Sequence, residues 1–214
     1  ALAVACIVLL VVTGVCVIRV IIAGTGLNYV SGTWAALAID ASHGTLYRPL
    51  IGPLGYGGTR YMPAAFLLHT TLIKVFNDAV LAGRLSTLLS TAFLLLGVYN
   101  LVKRVSRDRI AAIFAALLVL TSSAIQIELV SIRGDLLAAA FNVWALAFCA
   151  RAFEGQARKR NVVISGALFA LAFLTKFTTL FGLAAGIASL GFAGKKREAG
   201  ILAATATGLI AVGL

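Results

Sequence analysis

The chain has 214 residues, of which 61% are hydrophobic and 12% charged, and its mean hydropathy is +1.04. A soluble domain carries about twice that charge, so the composition excludes an ordinary soluble enzyme and predicts an all-α, polytopic membrane protein whose helices satisfy their own backbone hydrogen bonds in lipid. The formal net charge of +11 reads, in so apolar a chain, as the positive-inside rule and not as affinity for nucleic acid.

Residues 1–23 form an apolar run long enough to span, without a small-residue cleavage pattern, and so predict a first span and not a cleavable signal. Residues 24–77 follow as an outer loop. Its stretch 28–63 is the only long polar segment and holds all three prolines together with Arg48 and Arg60. A short helix is expected over 33–43, capped by Ser31 or Gly32, with an apolar stripe of Trp34, Leu37, Ala38 and Ala41 and with Asp40 and His43 on the other side. A second is expected over 63–76. It puts Ala65, Leu68, Leu72, Val75 and Phe76 on one face and Thr70, Thr71, Lys74 and Asn77 on the other, the pattern of a helix lying along the interface.

Three basic clusters, at 103–109, 151–160 and 195–198, set the topology. All three are expected in the cytoplasm, so an even number of crossings separates each from the next. The spans are then 1–23, 78–102, 110–132, 136–153, 162–175, 178–194 and 200–214. Parity requires that 63–76 does not cross. The break Arg133-Gly134-Asp135 and the break at Lys176 both fall on the outer side. A span needs about 20 residues, and 162–175 is shorter, which sets Lys176 below the outer surface and facing a polar cavity. The seventh span stops inside an apolar run, so the chain reads as a single transmembrane module, 1–214, of a longer protein.

Other chemistries find no support in the pattern. Cys6, Cys16 and Cys149 sit in apolar runs without ligand spacing, and one histidine with one acid, His43 with Asp40, is not a metal site. There is no Walker A loop, no GxGxxG in a βαβ setting and no repeated half of the kind transporters show. No metal and no cofactor is expected.

Several segments together resemble the GT-C integral-membrane glycosyltransferases, in the protein-mannosyltransferase and aminoarabinose-transferase branch (glycosyltransferase family 39-like). WAALAIDASHGTLYRP at 34–49 is similar to that family's first-loop helix, and RYMPAAFLLH at 60–69 to its Lys/Tyr-Pro-Pro-Leu segment. AGRLSTLLS at 82–90 resembles the arginine that starts the second span. SIRGDLLAAAFNVWALAFCARA at 131–152 resembles the Arg-x-Asp that opens the fourth, and FLTKFTTLF at 173–181 the Thr-Lys between the fifth and sixth. The resemblance implies a GT-C-like seven-helix module with two interfacial helices in its first outer loop. It places the protein in a cell membrane, multi-pass and of the bacterial inner-membrane kind, with loop 24–77 extracytoplasmic.

The activity implied is transfer of a sugar from a polyprenyl-phosphate carrier to an acceptor on the extracytoplasmic face. It proceeds by an inverting displacement, with a first-loop carboxylate as general base and fixed positive charge at the leaving phosphate. The family's catalytic Asp stands two residues before the glycine that is here Gly32. That position is Val30, followed by Ser31. Asp40 is the only acid in residues 1–76 and is therefore the candidate base. Its other reading is a solvated residue on the polar side of its helix.

Arg60, Tyr61, Arg133, Asp135 and Lys176 are the candidates for phosphate or lipid binding. Arg60 and Tyr61 also read as interfacial anchors, Arg133 and Asp135 as a pair that caps a helix start, and Lys176 as a snorkelling side chain. Glu128, costly in lipid unless paired, is a candidate partner for Arg133 or Arg84. Parity puts Arg60, Arg133 and Lys176 on one side, where they are expected to converge on an outer cavity. Two functional readings follow. One is a glycosyltransferase whose partner is a polyprenyl-phosphate-linked sugar or another anionic lipid. The other is a catalytically inactive GT-C-like subunit kept in a larger membrane complex for its packing surface.

The topology is tested by single-cysteine labelling in a background without native cysteines. A probe at Asn77 should react from the outer side. Labelling from the cytoplasm alone would overturn the parity argument and the placement of 63–76.

Overall fold

The computed structural model describes residues 2–23, 27–53, 55–56, 60–153 and 158–213. Gly57 and Gly58, which end the glycine run before Arg60, lie outside the described residues. So do 154–157 of the second basic cluster and the side chain of Cys6. The fold is all-α. Its helices are α1 (Leu2–Ile22), α2 (Tyr29–Ser42), α3 (Pro63–Phe76), α4 (Ala79–Ser106), α5 (Arg109–Val119), α6 (Ser123–Leu129), α7 (Asp135–Arg151), α8 (Arg158–Thr175), α9 (Leu180–Phe192) and α10 (Lys196–Gly213). A hairpin of two-residue strands, β1 (Ile51–Gly52) and β2 (Gly55–Tyr56), lies between α2 and α3 and pairs Ile51 with Tyr56. Among the described residues α4 is by itself long and apolar enough to cross a bilayer, and α5 with α6 makes a second such segment if the two are one span. The chain forms two compact units, residues 1–91 with 120–136 and residues 92–119 with 137–214.

Local chemistry explains the helix ends of the first unit. Asn28 caps α2, its side-chain oxygen accepting from the Ser31 N–H at 3.0 Å, so α2 starts a turn earlier than the sequence predicts. Ser31 and Gly32 lie inside it and do not cap it, because an asparagine three residues upstream already satisfies the free N–H. Pro63 opens α3, where its missing N–H costs nothing. Asn77 closes α3 in the left-handed region, φ 54, with its N–H on the Ile73 carbonyl at 2.7 Å. The next residue starts α4, since the Asp78 carboxylate accepts from Val80 N–H and Leu81 N–H at 2.8 and 2.9 Å.

The α2 stripe of Trp34, Leu37 and Ala38 is buried against α3. It packs on protein instead of resting on the membrane. The buried residues of α3 are Ala65, Phe66, His69 and Thr70, so Thr70 belongs to the packed face, while Val75 and Phe76 are exposed. A threonine can sit there because its one hydroxyl proton has two acceptors within reach, Phe66 O at 2.8 Å and Ala38 O of α2 at 2.9 Å; a buried polar group with partners carries little penalty.

The expected span 110–132 is not one helix. Helix stops at Val119 and resumes at Ser123, and the side-chain amide of Gln126 caps the gap by donating to Leu120 O at 3.1 Å. Helix α8, by contrast, extends beyond the expected 162–175 into the basic cluster at Arg158, since arginine and lysine are good helix formers.

In the second unit, Ala145 and Cys149 of α7, Val162 and Phe169 of α8, Leu183 and Leu190 of α9, and Leu202 and Ala206 of α10 form one core. Ser165 joins α8 to α7 through Ala145 O at 2.7 Å. Trp144 stacks on Phe93 and donates its indole N–H to Phe93 O at 2.9 Å. Small residues set how closely helices approach. A Cβ on Gly166 would fall 2.8 Å from Thr205 Cβ and 3.1 Å from Leu202 O of α10. Gly166→Val should therefore destabilise by about 1–3 kcal/mol through overpacking, read as a lower melting temperature in detergent. Gly200→Ala, where a Cβ meets nothing within 4 Å, should be neutral or stabilising by up to about 1 kcal/mol. Equal effects at the two sites would contradict the close α8–α10 contact.

Candidate functional site

Helix α2 and the loop after it position the first group. Asp40, on the side of α2 away from the packed stripe, accepts from Arg48 Nη2 through Oδ1 at 2.7 Å. The pair is unequal, for the arginine side chain is 60% exposed and the carboxylate 17%. Hydrogen bonding to Asp40 raises the Arg48 pKa still further above its already high ordinary value. Such a solvated pair is screened, so it fixes geometry more than stability. His43 is exposed and its Nδ1 lies 2.8 Å from Ile39 O, which closes the end of α2.

Behind this pair stands an aromatic brace. Trp34 and Tyr61 stack face to face, with centroids 4.5 Å apart and planes within 2°. The Tyr47 hydroxyl donates to Tyr61 O at 2.6 Å and its ring meets Phe66 edge-on. The Arg60 guanidinium lies over the Tyr47 ring, 5.6 Å from the centroid, and donates to Arg48 O at 3.1 Å. Arg60 is thus exposed but held, a cation on an aromatic face. Burial pushes the Tyr47 phenol up, and the Arg60 charge partly opposes that shift.

The turn between α6 and α7 carries the second group. Arg133 Nη1 donates to Glu128 Oε1 at 2.8 Å, and the Ser131 hydroxyl lies 3.2 Å from Glu128 Oε2. This selects Arg133 as a partner of Glu128. Arg133 Nε is buried without a hydrogen-bond partner among the described residues. Asp135 opens α7 as the acid of its first turn, where the helix dipole favours it.

Lys176 belongs to the second unit. It is extended, φ −154 and ψ 115, and separates α8 from the 3-10 turn Phe177–Thr179. Its carbonyl accepts from Thr179 N–H and from the Thr179 hydroxyl, at 3.1 and 2.8 Å. The break expected at this lysine is present. Among the described residues no cluster of three or more metal-ligating side chains occurs.

Sequence reasoning missed three participants. Arg48 carries no sign of its role in the sequence, because its contact with Asp40 depends on how the chain leaves α2. Tyr47 lies in the segment 34–49 with nothing to set it apart, since its partners Tyr61 and Arg60 are more than ten residues away. Ser31 read as a helix cap, yet it is 1% exposed and its hydroxyl oxygen accepts from Ile132 N–H at 3.1 Å, a contact 101 residues away in sequence. Its signal was the hydroxyl on the same α2 face as Trp34 and Ala38.

A helical fold with a segment of membrane-spanning length, a braced polar loop and cations held at loop and turn is consistent with a helical membrane protein. Residues 60–213 match the family described as dolichyl-phosphate-mannose-protein mannosyltransferase. The chain belongs to that family, which comprises membrane glycosyltransferases of the GT-C type. No curated protein and no solved structure gives a significant match. Arg60, Tyr61, Arg133, Asp135 and Lys176 fall within the matched residues, whereas Asp40 and Arg48 precede them.

His69 of α3 supplies a pH test of how the first unit is held together. It is 3% exposed and its Nε2 lies 2.7 Å from Ala79 O. Burial lowers its pKa below the ordinary 6.5, although the bond to Ala79 works the other way. The unfolded chain therefore binds the proton more readily than the folded one. Stability is full above 6.5 and is lost as pH falls through that value toward the folded pKa, by at most about 1.4 kcal/mol per pH unit. Melting in detergent at about pH 7.5 and about pH 5.5 should show a larger drop for the wild type than for His69→Gln. Equal drops would show that His69 is not buried in its neutral form.

Proposed function

We propose that this protein is a glycosyltransferase that takes a sugar from a polyprenyl-phosphate carrier and works on the extracytoplasmic face of a membrane it crosses several times. The supporting observation is the family match over residues 60–213, which contains the arginines and the lysine suited to a leaving phosphate. The seven spans, with α2 and α3 along the outer interface, belong to this reading, as does a bacterial inner-membrane location. Arg60, Tyr61, Arg133, Asp135 and Lys176 are assigned to the carrier's phosphate and head group. Arginine suits this role because its planar fork matches phosphate oxygens.

In the reaction, the acceptor hydroxyl oxygen attacks the anomeric carbon. The bond from that carbon to the phosphate oxygen breaks, polyprenyl phosphate leaves with the electron pair, and the hydroxyl proton passes to a carboxylate. Asp40 is the assigned carboxylate. Among the described residues only its Oδ1 is engaged, by Arg48, so Oδ2 is available to an acceptor. Val30, at the family's usual acid position, takes no proton, and the neighbouring Ser31 hydroxyl is already spent on Asn28 and Ile132.

The test is sugar transfer from polyprenyl-linked donors by the full chain in lipid. Asp40→Asn should lower the rate by about 10²–10⁴-fold and leave binding of the carrier intact. An unchanged rate would remove Asp40 as the base. Absence of transfer by the wild type from every donor tried would favour the inactive-subunit reading.

A further inference from the structure

One peptide group in the first unit is gripped from both sides. The carbonyl of Ser131 accepts from the Thr87 hydroxyl of α4 at 2.9 Å, and the N–H of Ile132 donates to the Ser31 hydroxyl oxygen of α2 at 3.1 Å. These two atoms belong to the same planar peptide unit. All four residues are buried, with Ser31 and Ser131 at 1%, Thr87 at 2% and Ile132 at 3% exposure. The grip is itself anchored. The Ser31 N–H and hydroxyl both reach Asn28 Oδ1, at 3.0 and 3.3 Å, while Thr87 also lies 3.2 Å from Gly83 O. The Ile132 side chain fits against Gly83, where a Cβ would fall 2.7 Å from Ile132 Cδ1 and 2.8 Å from His69 Cε1.

Arg133 follows Ile132. Rotation of the peptide plane would break two buried hydrogen bonds, so the chain is held up to the Ile132 Cα, and the packed Ile132 side chain limits how it turns from there into Arg133. On the other side of the grip, the Ser131 side chain lies 3.1 Å from Glu128 O and 3.2 Å from Glu128 Oε2, while Glu128 Oε1 holds Arg133 Nη1. One short segment therefore holds the peptide just before Arg133 and supplies the counter-charge of its guanidinium.

We infer that Ser31 and Thr87 are positioning residues for Arg133. They clamp the Ser131–Ile132 peptide so that the arginine is presented to an anionic phosphate in one orientation, and the first-loop helix α2 is thereby coupled to that group. The phosphate as ligand rests on the function proposed above. The clamp rests on geometry alone.

The test uses the full chain in detergent micelles and has two arms. Without lipid, hydrogen exchange of the segment 129–134 should accelerate about tenfold in Ser31→Ala and in Thr87→Val. It should return to the wild-type rate in Thr87→Ser, which restores the hydroxyl, and remain at that rate in Arg133→Gln. With a short-chain polyprenyl monophosphate compared with the matching polyprenol, Ser31→Ala and Thr87→Val should each weaken the phosphate-dependent part of binding about tenfold. They should weaken it no further when Arg133 is already replaced by glutamine.

Unchanged exchange in both hydroxyl variants overturns the clamp, whatever the lipid does. Accelerated exchange with wild-type phosphate binding in those variants overturns the positioning role. Full phosphate binding by Arg133→Gln shows instead that the phosphate assignment has failed. The positioning role then falls with it, while the exchange arm still reports on the clamp separately.

Discussion

Buried hydroxyls that complete the hydrogen bonds of irregular backbone are the constraint on which the first unit depends. An unpartnered buried peptide group costs about 1–3 kcal/mol, and a break between apolar helices exposes several such groups at once. Here Ser31 and Thr87 serve the break after α6, Thr70 ties α3 to the Ala38 carbonyl near the end of α2, and His69 serves the start of α4 through Ala79 O. Each of these side chains lies on a regular helix and reaches across to a neighbouring element. The helices thus act as rigid posts, and the non-helical turn carrying Arg133 is ordered by them.

The same constraint explains why polar residues in this unit divide into two groups. Those whose polar atoms are consumed by backbone are buried and rigid. Arg60 and Arg48 lie at the exposed edge, held by weaker contacts: Arg60 on the face of Tyr47, Arg48 on Asp40. A surface of held cations suits a substrate that arrives with its own negative charge. It also suits a reaction whose developing charge sits on a leaving phosphate, where groups fixed in advance need no reorganisation. With Val30 at the family's usual acid position, the proposed function assigns proton acceptance to Asp40, ten residues further along α2.

Element type was legible in the sequence wherever one residue dictated it. Pro63 and the Asn77–Asp78 pair fix the ends of α3 and the start of α4, so α3 spans the expected 63–76. Lys176 marked a helix break because neither flanking run was long enough to carry it in lipid. What could not be read were facts set by partners distant in sequence. The packed face of α3 depends on Thr70 finding Ala38 O. The interruption at Leu120–Ser122 has no proline or glycine to announce it, and its cap comes from Gln126. The role of Ser31 depends on a peptide 101 residues away. Pairing of Glu128 with Arg133 was within reach because the two lie about one turn apart, while Arg48 gave no comparable signal.

The most direct measurement of the central claim is photo-crosslinking with a polyprenyl monophosphate carrying a diazirine close to the phosphate, followed by mapping of the labelled peptides. The account predicts label in the segments holding Arg60 and Arg133, competed by unlabelled polyprenyl phosphate and not by polyprenol. Label confined to the basic clusters at 103–109, 151–160 and 195–198, or competed equally by the alcohol, would contradict it.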